Sequence, residues 1–180
     1  MFTRLRKHPP DSAAAVLYRA VVTRAREPVF YLEWGVADTM DGRFDLLALH
    51  VFLVFESLRG RGEAAAALGS ELADIVFTGF DEALRELGVS DFGMGRRIRN
   101  MANAFYGRVR SYGEAKSQTE LAAAVQRNLY RGATDRADVA RALASYMMDA
   151  RMHLCRDIAA LVTGKPDFGP VPHLVNTDDR

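Results

Sequence analysis

The sequence predicts an all-α protein, a single-domain compact bundle of six or seven helices around a largely apolar central helix. Three observations carry that prediction. Residues 46–55 are apolar at every position but His50 and are bounded by Asp45 and Glu56. Elsewhere apolar residues recur at spacings of three and four, and no alternating strand pattern persists. Glycine and proline fall between the periodic stretches, where chain reversals are needed. A chain of 180 residues fits one domain, large enough to bury about two-thirds of its unfolded surface.

Residues 1–10 are basic and are expected to be flexible. Asp11 or Ser12 can cap a helix reaching residue 27, with Ala13, Val16, Leu17, Ala20 and Val21 as its stripe. Pro28 interrupts the pattern because it lacks a backbone donor, and Val29 to Trp34 has room for one or two turns before Gly35. Asp41-Gly42 suits a tight turn, so the central helix is expected from Arg43 and is closed by Gly60 and Gly62. Phe44, Leu47, Val51, Phe55 and Leu58 line one of its faces, while Leu46, Leu49 and Leu53 cover much of the other. A helix apolar all round needs neighbours on several sides.

Residues 63–87 are helical again, with Leu68, Leu72, Ile75, Val76, Ala83 and Leu87 inward and Gly79 allowing a close helix contact. The stretch 88–95 reads as a connector ending in Gly93-Met94-Gly95. A helix over 96–112 follows, with Ile98, Met101, Phe105, Val109 and Tyr112 on one side, then another over 117–129. Beyond Gly132, Thr134 or Asp135 starts a last long helix over 136–162, with Val139, Leu143, Tyr146, Ala150, Leu154, Ile158 and Leu161 as its stripe. The helical body therefore spans 11–163. Residues 164–180, rich in proline and glycine, form a tail that either lies against the body through Phe168 or stays loose.

A formal charge of +1 gives no whole-molecule steering towards nucleic acid or anionic lipid, and no DNA partner is expected. Cys155 is the only cysteine, which excludes an intrachain disulfide and a cysteine-cluster metal site; a reducing compartment is expected. The apolar run at 46–55 is far below the roughly 20 residues a spanning helix needs. Gly93-Met94-Gly95 and Gly60-Arg61-Gly62 follow no predicted strand and complete no dinucleotide or Walker pattern. No nucleophile stands beside a base, so no catalytic residue, metal or cofactor is predicted.

The strongest charge feature is Arg96, Arg97, Arg99, Arg108 and Arg110, because residues 92–113 contain no acid. As a helix, Arg96, Arg99 and Arg110 gather opposite Ile98, Phe105 and Val109, with Arg97 and Arg108 at one border. Such a face is either an ordinary solvated surface or a contact for acidic protein, RNA or lipid headgroups. Asp149, His153 and Asp157 share a helix face and could hold a divalent cation if another element supplied ligands. The blander expectation makes His153 a structural histidine paired with either carboxylate. His50, inside the apolar helix, is expected as a buried structural histidine with a hydrogen-bond partner. Glu33, Asp38, Asp41 and Asp45 form an acidic neighbourhood without calcium-loop spacing. Tyr31, Trp34, Phe105 and Tyr106 either seal gaps between helices or, if exposed beside the arginines, form an apolar and basic docking surface.

Several blocks, in order, resemble the ubiquinol-cytochrome c chaperone family: Phe30-Tyr31, Gly35-Val36-Ala37-Asp38-Thr39-Met40-Asp41-Gly42-Arg43-Phe44, Leu49-His50-Val51-Phe52-Leu53, Leu84-Arg85-Glu86-Leu87-Gly88-Val89-Ser90-Asp91 and Phe105-Tyr106-Gly107-Arg108. The resemblance covers roughly residues 12–162. It implies an assembly factor for the cytochrome bc1 complex, not an enzyme, that binds newly synthesised cytochrome b. Implied further are a bacterial cytoplasmic location, with a peripheral place on the inner membrane left open, and contact with the ribosome or membrane surface or with a small assembly partner. On this view Tyr31, Trp34, Phe105 and Tyr106 shield an apolar client segment while Arg96, Arg97, Arg99, Arg108 and Arg110 engage acidic groups. The alternative is a helical carrier of lipid or another small apolar ligand, which would need an enclosed pocket.

Overall fold

The computed structural model describes residues 9–86, 88 and 91–174. It is an all-α fold, with no strand among the described residues. Helix α1 spans Ala13–Ala25, α2 Pro28–Leu32, α3 Met40–Leu58, α4 Glu63–Glu86, α5 Asp91–Gly113, α6 Gln118–Leu129, α7 Ala137–Arg156 and α8 Ile158–Val162. A 3-10 turn at Thr134–Arg136 leads into α7. The five-residue helices α2 and α8 act as connectors, so the six longer ones carry the architecture.

α3 is the centre. Leu46, Leu49, Val51, Leu53 and Val54 are all at most 1 % exposed, and α1, α4, α5, α6 and α7 pack around them. The apolar residues on every side of α3 thus each meet a neighbour, which is how a helix without a polar face satisfies the hydrophobic effect.

Three boundaries differ from the sequence expectation, two of them because a local bond outweighs the pattern. α3 begins at Met40, not Arg43, because Thr39 accepts the Gly42 N–H at 3.2 Å and Asp41 sits favourably in the first turn. Asp41-Gly42 is therefore helix and not a tight turn. The glycine serves close packing instead, since a Cβ there would lie 1.9 Å from the Ala37 carbonyl oxygen. α5 begins at Asp91 and absorbs Gly93-Met94-Gly95, which the sequence marked as a connector. The expected single helix over 136–162 breaks at Asp157, whose φ/ψ of −131°/81° is non-helical and whose carboxylate accepts the Ala160 N–H at 2.8 Å. Ser12 and Ser117 cap α1 and α6, and Gly79 approaches Tyr18 of α1 closely.

The expected flexible segment 1–10 lies outside the described residues except for the exposed Pro9 and Pro10, and residues 175–180 of the tail lie outside them too. Residues 164–174 run back over the body. Phe168 is 3 % exposed and packs edge-on against His50 at 5.6 Å, with the Arg24 guanidinium over its ring at 5.5 Å. Arg24 also donates to the Gly169 carbonyl at 2.6 Å, and Trp34 Nε1 donates to the Pro172 carbonyl at 3.1 Å. No helix among the described residues is long and apolar enough to cross a membrane.

Candidate functional site

α5 is amphipathic, and its two sides have different chemistry. Inward, Phe105 and Tyr112 are 0 % and 2 % exposed. Outward, Arg96, Arg97, Arg99 and Arg110 are exposed, and none of them forms an ion pair with a described residue. Helical spacing puts Arg99, Tyr106 and Arg110 in one sector with Arg96 and Asn103 beside it, while Arg97 lies on the far border. Tyr106 is 52 % exposed, and its ring leans on Phe77 of α4 at 5.5 Å. Its stem is therefore held while its edge and hydroxyl face water. This outer face combines an anchored ring with guanidinium groups that pair with no carboxylate among the described residues, which suits an anionic or acidic partner. A groove of about 320 Å³ continues it towards α6, lined by Gly107 and Ala123 and by Arg110, Glu114, Glu120 and Arg127.

Arg108 does not belong to that face. Its Nε donates to Asp45 Oδ1 at 2.5 Å, its Nη1 to the Ala104 carbonyl at 3.0 Å, and its guanidinium covers the Phe44 ring at 4.9 Å. Asp45, wholly buried on α3, turns its second oxygen to Arg131 Nη1 at 2.8 Å. Arg131, at the turn after α6, holds a positive φ of 55°, a conformation that costs a non-glycine residue on the order of 1 kcal/mol or more. Burial pushes the Asp45 carboxyl up from its ordinary range, against the pull of Arg108 and Arg131. The cluster ties α3, α5 and the α6 turn through one carboxylate.

The expected ring surface is not formed as one patch. Trp34 and Phe105 are both 0 % exposed, enclosed by the tail and by the phenylalanines of α3 and α4 respectively. Tyr31 is half-buried, donates its hydroxyl to the Ala25 carbonyl at 2.8 Å, and lies in a different groove of about 420 Å³ with Arg26, Leu32 and Arg43. Of the four rings only Tyr106 accompanies the arginines at the surface. The physical reason is that Trp34 is covered by the distant tail and Phe105 by the apolar stripe it belongs to, so neither ring is left for the surface. Exposed apolar side chains that sequence reasoning did not single out are Leu32 at 82 %, Met40 at 52 %, Met148 at 46 % and Met152 at 57 %. Only the four-residue spacing of Met148 and Met152 could have pointed to a shared face.

His50 sits in the core. Its Nδ1–H donates to the Leu46 carbonyl at 2.8 Å, so Nε2 accepts the Tyr146 hydroxyl at 2.9 Å and the ring stays neutral. Burial, with a smaller push from Arg24, lowers its pKa to about 3. His153 pairs with neither Asp149 nor Asp157. Its Nδ1 donates to Asp167 of the tail at 3.0 Å, which holds the Asp167 carboxyl below its ordinary value. Asp157 is spent on capping α8. The three-residue metal face is thus not assembled, and no His/Cys/Asp/Glu cluster among the described residues could hold an ion. The acidic neighbourhood is likewise divided: Glu33 accepts from His173, Asp38 from Arg43, and Asp45 from Arg108 while it pairs ionically with Arg131.

The fold and this geometry define an all-α protein with a core of buried apolar side chains and open grooves on its surface. The chain belongs to the ubiquinol-cytochrome C chaperone family, whose model matches residues 32–168. The crystal structure of the Cbp3 homolog from Brucella abortus is similar at 35 % identity and a TM-score of 0.78, over 88 % of this chain and 89 % of that one. Comparison with curated proteins gives no match.

Proposed function

We propose that this protein is a non-enzymatic assembly chaperone of the cytochrome bc1 complex that binds newly synthesised cytochrome b on the side of the membrane where it is made, in a bacterial cytoplasm and at the inner-membrane surface. Family membership over residues 32–168 supports the chaperone assignment. The observation that carries the mode of action is the outer face of α5, where Arg96, Arg99 and Arg110 stand beside the half-exposed Tyr106 without an ion-pair partner among the described residues. Long, weakly hydrated guanidinium groups recognise carboxylates and phosphates in pairs. They hold the chaperone against an acidic surface of the client, the ribosome, a lipid headgroup layer or a small assembly partner, while nearby apolar side chains take the client's greasy segment. The grooves beside Arg110 and beside Tyr31 are open and carry charged residues, which disfavours a lipid carrier.

The test is crosslinking in cells to nascent membrane proteins, with identification of the captured chains. Wild-type protein is expected to capture cytochrome b selectively. Arg96→Glu together with Arg99→Glu, at exposed positions where substitutions cost little stability, is expected to reduce capture at least about ten-fold, since each reversal replaces attraction by repulsion worth on the order of 1 kcal/mol. Capture without selectivity would instead identify a general binder of membrane proteins.

A further inference from the structure

α5 carries four glycines, Gly93, Gly95, Gly107 and Gly113, and packing requires none of them. A Cβ on Gly93 or Gly107 meets nothing within 4 Å. On Gly95 it meets only the Arg99 guanidinium at 3.6 Å, and on Gly113 the Phe52 ring at 3.7 Å, an ordinary contact. None has a positive φ. Gly42 in α3 is the opposite case, since a side chain there would strike backbone. Each interior glycine lowers helix formation about five-fold relative to alanine, so α5 is weakened by its composition with no compensating contact.

The polar fastening of α5 is also weak, so its hold is mainly that of the buried Phe105 and Tyr112. Its link to α3 at Arg108 is a desolvated ion pair, an interaction whose solvation cost largely cancels its attraction. Arg131 gives Asp45 a second partner from outside α5, so the carboxylate keeps a guanidinium if Arg108 departs. Under α5 lies a cluster of rings. Phe105 meets Phe55 at 6.4 Å, Phe77 at 5.7 Å and Phe80 at 6.0 Å, and Tyr112 meets Phe52 at 5.5 Å.

We infer that α5 is a displaceable cover: it detaches from α3 and α4 without global unfolding, and the ring-lined trough it leaves takes an apolar helical segment of the client. The occupant is a helix because a helix face, that of α5 itself, already fills the trough. This rests on the chaperone function proposed above, and it brings the rings of α3 and α4 within reach of a client although they are enclosed in the closed form.

Hydrogen exchange of the full chain, corrected for intrinsic rates, tests the opening. Amides of 91–113 are expected to exchange well before those of 40–58 and 137–156. The triple variant Gly93→Ala, Gly95→Ala, Gly107→Ala is expected to slow α5 exchange about 100-fold, as three five-fold steps multiply. A labelled leucine-rich peptide of about 20 residues, the length of a membrane span, is the binding probe. Its affinity should fall about 100-fold in the variant, because the binding-competent population falls by that factor. α5 exchanging as slowly as α3, or an unchanged peptide affinity in the variant, overturns the cover. A slow α5 with selective cytochrome b capture intact would remove the cover and leave the chaperone. Fast opening and peptide binding without that capture would keep the cover and remove cytochrome b as the client.

Discussion

Trp34→Ala is expected to destabilise the protein by about 4 kcal/mol, the range for deleting a large buried aromatic, with urea unfolding as the measurement. Trp34 is fully buried and sits at a junction of three elements. Its indole N–H binds the tail at Pro172, its carbonyl accepts the Tyr130 hydroxyl at 2.9 Å, and its ring packs edge-on against Tyr146 at 6.3 Å. Alanine leaves a cavity in this cluster and an unpartnered Pro172 carbonyl. A ring that met clients from the surface would behave differently, losing capture at nearly unchanged stability. The unfolding midpoint therefore separates a structural Trp34 from a binding one.

Acidification is expected to unfold the protein through His50. The ring's folded pKa is about 3 against an ordinary 6.5, so between those values the unfolded chain binds a proton that the folded one refuses. Stability therefore rises with pH across this window: it is complete above about 6.5 and is lost as pH falls towards 3. The loss approaches 1.4 kcal/mol per pH unit, or about 2 kcal/mol between pH 7 and pH 5. Asp45 works in the opposite sense, since burial raises its folded pKa and its protonation relieves that cost as pH falls. The difference between wild type and His50→Leu isolates the histidine. The variant should be less stable at pH 7, because the Tyr146 hydroxyl loses its acceptor, yet flatter between pH 7 and pH 5. Equal slopes would mean that His50 takes up its proton in the folded state.

The helices and the central place of α3 were legible because both follow from apolar periodicity, which records burial directly. Boundaries set by a single bond were not. Thr39 and Asp157 each redirect the backbone through one side-chain oxygen, and periodicity does not register such a bond. The basic character of α5 was legible from its lack of acids. The border position of Arg108 was legible, but its partner was not, because Asp45 lies 63 positions away in the sequence. Aromatic residues were the hardest to place. Phe105 and Tyr106 are consecutive; the apolar stripe turns Phe105 inward, but only the position of α4 decides that Tyr106 leans on Phe77 and stays half-exposed. Likewise nothing in the sequence tells that Asp167 of the tail, and not Asp149 or Asp157, reaches His153.

In the proposed function the outer face of α5 meets the client. A photo-crosslinking residue placed at Tyr106, compared in cells with the same residue placed at the equally exposed Met152 of α7, tests this most directly. A cytochrome b adduct is expected from position 106 and little or none from position 152. Adducts from 152 with none from 106 would contradict it and move the client site to α7.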